Sequence, residues 1–198
     1  ALTAMESGQV DGIEAVPAPE IPRLMAESDA FLMVPALSTT YAFFNPDQAP
    51  MTDVRVRKAL SMAIDRQDII DFVLQSADKP ALGLIPYGMT FSTGEFRDGT
   101  DTFGLDAHAQ PEAAQALLAE AGFPNGEGFP ETIFVTYTSP PIEKLLEAIQ
   151  QMWKKNLNID VKIQATEWQV YYPEVEKHEF QIAQMGWGAD YPHPMSFL

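Results

Sequence analysis

The chain of 198 residues has no cysteine, only three histidines, and 12 lysines and arginines against 28 aspartates and glutamates. Without cysteine it forms no disulfide and no thiolate metal site, which suits a prokaryotic protein on either side of the membrane. No window approaches the ~18 consecutive apolar residues of a membrane span, and residues 1–8 lack the basic and apolar regions of a signal peptide. The net charge of -16 argues against nucleic acid and anionic membranes as partners. It leaves cationic or zwitterionic ligands open, beside the plainer reading of solubility alone. His108, His178 and His193 fall in unrelated segments, and there is no G-x-S-x-G or H-E-x-x-H, so nucleophilic and zinc chemistry find no support. Asp98, Asp101 and Asp106 miss the spacing and the glycine of a calcium loop. Phosphate-cradling glycine motifs are absent, no metal or cofactor is expected, and Arg55, Arg57 and Lys58 read as a solvated helix face.

What is present is ordinary globular material, 46% hydrophobic, enough for one domain or one domain with an appendage. Residues 2–7 read as a short helix ended by Gly8, residues 10–16 as a short strand, 20–27 as a helix, and 31–34 and 40–44 as strands. Val56, Ala59, Leu60, Ala63 and Ile64 form one helical stripe capped by Thr52 or Asp53, and Asp65 caps a second helix carrying Ile69, Ile70, Val73 and Leu74. Residues 77–110 show neither period and read as a long excursion.

The second half is more regular. Pro111, the stripe Ala114, Leu117, Leu118 and Ala121, and the following Gly122 specify a helix by its start, face and stop. A strand over 132–137 leads to Ser139, which caps a helix lined by Ile142, Leu145, Leu146, Ile149, Met152 and Trp153. Ile159, Val161 and Ile163 then alternate with polar residues in a strand. Residues 167–177 look helical despite Pro173, and 180–185 return as a strand. The order βαβαβ predicts an α/β fold with a largely parallel sheet flanked by helices.

The stretch QMGWGADYPHPMSFL, residues 184–198, therefore leaves a strand at its carboxyl end, where open α/β sheets hold ligands. Gly186 and Gly188 let another body approach the backbone. Trp187 offers an apolar wall or a core residue. Asp190 offers a carboxylate for an ammonium group, or a hydrogen bond to its own proline-rich turn. Pro192 and Pro194 break regular structure, and Phe197 and Leu198 look apolar with nothing after them to bury them, the mark of an excised piece.

Four stretches resemble, in order, the solute-binding proteins of oligopeptide, dipeptide and nickel ABC importers. They are SGQVDGI from Ser7, AFFNPDQAPMTDVRVRKALSMAIDRQDII from Ala42, EAAQALLAEAGF from Glu112 and MWKKNLNIDVKIQATEW from Met152. The closing GWGADYPHP resembles that family's strand-end loop. The resemblance implies a two-lobed, hinge-closing protein of the type II periplasmic-binding-protein fold, with residues 1–198 as its second lobe and the first lobe absent. Its place would be outside the cytoplasmic membrane, in the periplasm or lipid-anchored, and its partners a peptide ligand and the importer's permease. Asp190 would pair with the peptide's α-ammonium, Gly186 and Gly188 would accept the ligand as an added strand, and Trp187, with Gln184 and Tyr191 beside it, would line the site. The best-known oligopeptide binders carry arginine at the position of Gln184 and histidine at that of Ile142, so a fixed grip on the peptide carboxylate is not implied. Family members for sugars or metal chelates leave those ligands as alternatives. From a different class, Glu174 and Glu176 allow a carboxylate-dependent hydrolase.

Overall fold

The computed structural model describes residues 1–14, 16–32, 36–91 and 94–198. Its frame is a four-stranded sheet of β1 (Ser38–Phe44), β4 (Thr132–Tyr137), β5 (Val161–Thr166) and β6 (Ile182–Gly188), in the order β1-β6-β4-β5. β4 runs parallel to β5 and β6, and β1 is antiparallel to β6. The sheet is thus mixed and largely parallel. A hairpin of β2 (Thr90–Phe91) and β3 (Gly94–Glu95) stands apart in the long excursion.

Five helices carry the packing: α3 (Val54–Met62), α4 (Arg66–Asp68, continued as a π-helix over Ile69–Leu74), α5 (Pro111–Glu120), α6 (Pro140–Leu157) and α7 (Trp168–Glu176); α1 (Leu2–Glu6) and α2 (Ile21–Glu27) precede them. One sheet face, with Phe134 and Ile182, packs against Leu146, Ile149 and Trp153 of α6 and against α3 and α5. Trp153 is fully buried and its indole N–H donates to the carbonyl of Leu60 at 2.8 Å, so the largest core residue has its one polar atom satisfied. The other face, with Val135 and Ala183, packs against Tyr171 and Val175 of α7.

The expected caps form at Asp53, which accepts from the backbone N–H of Arg55, and at Asp65, which accepts from that of Asp68. Ser139 starts α6 without a side-chain cap; its own N–H donates to the Glu143 carboxylate instead. Arg55 and Arg57 are not merely a solvated face. Arg55 chelates Asp53 and reaches the Glu120 carbonyl, and Arg57 donates to the carbonyls of Met51 and Thr52, so both tie α3 to neighbouring chain.

Some sequence expectations shift. The strand expected at 10–16 is absent among the described residues, which are bends and irregular chain with no partner strand to bond. Of 31–34, Phe31 and Leu32 are irregular, and 33–34 lie outside the described residues. The strand expected from Ile159 starts at Val161. β6 begins two residues later than expected and runs on through Gly186, Trp187 and Gly188, because β1 continues to pair with it. Phe197 is buried, against the expectation of an exposed apolar end, in a small cluster with Ile85 and Met89 of the excursion. Among the described residues no helix is long and apolar enough to cross a membrane.

Candidate functional site

Two crossovers of opposite sense determine where the sheet can open. From β4 the chain passes through α6 to β5 on one side; from β5 it returns through α7 to β6 on the other side of β4. With right-handed crossovers, the two helices must lie on opposite faces, as they do. The carboxyl ends of β4 and β6 therefore flank a topological switch point.

The ladder between them stops early. β4 and β6 pair only at Phe134 with Ile182 and Val135 with Ala183. Beyond that they separate, and side chains fill the base of the opening. The fully buried Tyr171 of α7 donates its hydroxyl to the Gln184 carbonyl from one face. On the other, Thr136 donates to the Gln184 amide oxygen at 3.3 Å. Gln184 is only 2% exposed, so it lies beneath the opening rather than in it.

Above this base, among the described residues, the edge of β6 has no backbone partner on the side away from β1. Asn45 N–H bonds the Gln181 carbonyl and Ala189 N–H bonds the Leu37 carbonyl, both from the β1 side. Strand alternation then points the backbone groups of 181, 183, 185, 187 and 189 toward β1 and those of Gly186 and Gly188 away from it, toward the gap. Neither glycine has a left-handed backbone. A Cβ on Gly188 would meet nothing within 4 Å, and one on Gly186 would make ordinary contacts with Thr40 Oγ1 at 3.7 Å and the Thr39 carbonyl at 3.9 Å. The fold of the chain therefore does not require glycine at either position.

Trp187 lies on the α7 face of the sheet by alternation with Ala183 and Met185. It is 44% exposed, so it is neither core nor free: its indole N–H donates to the Ser196 carbonyl at 2.7 Å. Asp190 is exposed two residues beyond the ladder. Its N–H donates to Ser196 Oγ at 2.9 Å, and that hydroxyl reaches back to Asp190 Oδ2 at 3.5 Å. Among the described residues no cation pairs with Asp190. Tyr191 is exposed and stacks on His193 at 6.4 Å between ring centroids.

Sequence reasoning passed over Tyr137 and Trp168. Tyr137 ends β4, and its ring meets Trp168 edge-on at 5.2 Å; Trp168, just past β5, is 46% exposed. The signal was available, since the strand-end rule that singled out Trp187 applies equally to an aromatic two residues after β5. Ile142 in the first turn of α6 is half-buried and packs on the main core. Glu174 and Glu176 lie near the far end of α7, at the opposite end of the sheet from this opening. Among the described residues no cluster of acidic, histidine or cysteine side chains could hold a metal.

The chain is 30% identical over 206 residues to the oligopeptide-binding protein OppA of Bacillus subtilis, a match covering 100% of this chain and 36% of the relative. It is 37% identical over 165 residues to the periplasmic oligopeptide-binding protein OppA of Salmonella typhimurium, covering 83% of this chain and 30% of the relative. It thus spans about a third of the length of these relatives. The structure of Listeria monocytogenes OppA bound to peptide superposes with a TM-score of 0.80 at 25% identity, over 99% of this chain and 39% of that one. The model of the bacterial extracellular solute-binding proteins, family 5, middle part, matches residues 1–198, and the chain belongs to that family.

Proposed function

We propose that this chain is the second, ligand-binding lobe of the extracytoplasmic substrate-binding component of a peptide ABC importer. The protein acts outside the cytoplasmic membrane, in the periplasm or lipid-anchored at its outer face, and delivers peptides to a permease. The observation that carries this reading is the bare β6 edge. Gly186 and Gly188 turn their backbone donors and acceptors toward a gap, and the fold of the lobe gives no reason for either glycine. An extended peptide fits such an edge as an added strand, with backbone hydrogen bonds that do not depend on its sequence.

Asp190 stands two residues past that edge and takes the peptide's α-ammonium, a charge-assisted bond worth about 1.5–3 kcal/mol. Trp187, with Tyr191 beyond it, walls the side-chain space, and Trp168 and Tyr137 continue the aromatic rim. Gln184 supports the edge from below through Tyr171 and Thr136. Capture closes two lobes over the peptide, so this lobe alone supplies part of the contacts and binds weakly. No bond is made or broken, and no catalytic group is assigned.

The test is calorimetry on the full-length protein with unblocked peptides. Asp190→Asn is expected to weaken capture by about 2 kcal/mol, roughly thirtyfold, with little effect on N-acetylated peptides. Unchanged affinity for unblocked peptides in that variant, or preferential capture of oligosaccharides or metal chelates by the wild type, sinks the reading. Micromolar affinity in the isolated lobe would contradict the two-lobed closure.

A further inference from the structure

Ser196 holds Trp187 and Asp190 at once. Its carbonyl accepts from the Trp187 indole at 2.7 Å, while its hydroxyl accepts from the Asp190 backbone N–H at 2.9 Å and points back to Asp190 Oδ2 at 3.5 Å. A hydroxyl that accepts from an N–H has its own proton free to donate, and the nearby carboxylate oxygen is the acceptor in reach. The carboxylate rotamer is thereby biased at an exposed position, where an aspartate otherwise samples several orientations.

Ser196 can do this because its own position is anchored. It belongs to a 3-10 turn, Pro194–Phe197, in which Pro194 and Phe197 are buried. Phe197 enters a separate apolar cluster with Ile85 and Met89, against which Leu37, Phe96 and Ala189 also pack. Ile85, Met89 and Phe96 all come from the excursion between α4 and α5. The long irregular segment is therefore the socket that fixes the turn, and the turn sets the height and direction of the rim. Ala189, between Trp187 and Asp190 in sequence, touches the same socket and bonds the Leu37 carbonyl at 2.8 Å.

We infer that Ser196 is a positioning residue for ligand capture, orienting the Asp190 carboxylate through its hydroxyl while its carbonyl pins the Trp187 indole. The inference rests on the reading of Asp190 as the ammonium partner. Preorienting an acceptor removes part of the ordering that binding would otherwise require, and the expected loss on removing the hydroxyl is about five- to tenfold in affinity.

The experiment is a double-mutant cycle on the full-length protein, titrated with a pool of unblocked synthetic peptides of two to five residues. Ser196→Ala is expected to weaken capture about five- to tenfold with the unfolding temperature unchanged, Ser196→Thr to restore it, and Ser196→Ala to cost nothing further in an Asp190→Asn background. A purely structural role predicts instead that the two losses add, and additivity overturns the inference. Ser196→Ala at wild-type affinity while Asp190→Asn is impaired overturns the positioning role and leaves the ammonium site standing. Asp190→Asn at wild-type affinity, or a pool the wild type does not capture, overturns the underlying reading itself.

Discussion

The hydroxyl of Tyr171 on α7 donates to the carbonyl oxygen of Gln184 on β6, at the point where β6 parts from β4. Burial pushes this phenol up to about 12 from its ordinary 10.0. A folded-state value above the unfolded one means that the group's contribution to stability is complete below pH 10.0 and lost as pH rises toward about 12. Tyr171→Phe is expected to cost about 1–2 kcal/mol at neutral pH, since it leaves a buried carbonyl unpaired. Chemical denaturation from pH 8 to 12 should then show the wild type losing stability above pH 10 more steeply than the variant. Parallel curves would mean that burial does not hold the phenol neutral.

Asn45, 2% exposed, donates from one amide nitrogen to the carbonyls of His178 at 2.9 Å and Phe180 at 3.0 Å, and accepts from the Asp47 N–H at 3.0 Å. It fastens the end of β1 to the turn that enters β6. Asn45→Ala leaves three part-buried backbone groups without this partner, and an equilibrium unfolding curve should record a loss of about 2–3 kcal/mol. A loss below about 0.5 kcal/mol would mean that water replaces the amide freely.

Gly188→Val separates folding from capture. The chain offers open space at that Cβ and an ordinary backbone conformation, so the unfolding free energy should move by no more than about 0.5 kcal/mol. Peptide capture by the full-length variant should fall at least tenfold, because the branched side chain stands where the added strand must approach. Equal affinity in variant and wild type would mean that no strand docks at this edge.

Acid sensitivity is expected at Asp65. Burial alone would raise its pKa, but hydrogen bonds from the N–H groups of Asp68 and Ala109 and from His108 outweigh that and hold it below the usual 3.8. The depressed folded value means that its contribution is complete above pH 3.8 and disappears as pH falls through the lower value. Asp65→Asn keeps a capping oxygen but has no proton to gain. Its stability should therefore depend less on pH between about 5 and 2 than that of the wild type, as thermal melts across that range would reveal.

Helix positions were legible because their signals are local. The stripe of Leu145, Leu146, Ile149 and Trp153, the caps at Asp53 and Asp65, and the stop at Gly122 each lie within a few turns of chain. The strand-end position of the Trp187 and Asp190 rim followed from element order alone, and the family resemblance supplied the proposed ligand class. Illegible were the extension of β6 through Gly188, which depends on a strand some 150 residues away in sequence, and the apolar socket for Phe197, whose walls come from the excursion.

The amino-acid sequence by itself determined the α/β class, the helical faces and the family, since propensity, periodicity and motif order are carried by neighbouring residues. Tertiary structure alone decided the rest. It set β6 between an antiparallel and a parallel neighbour, buried Gln184 beneath the opening, and brought Ser196 back onto Trp187 and Asp190. Those relationships arise from strand pairing and burial between distant segments, and no local pattern encodes which backbone groups are left facing a gap.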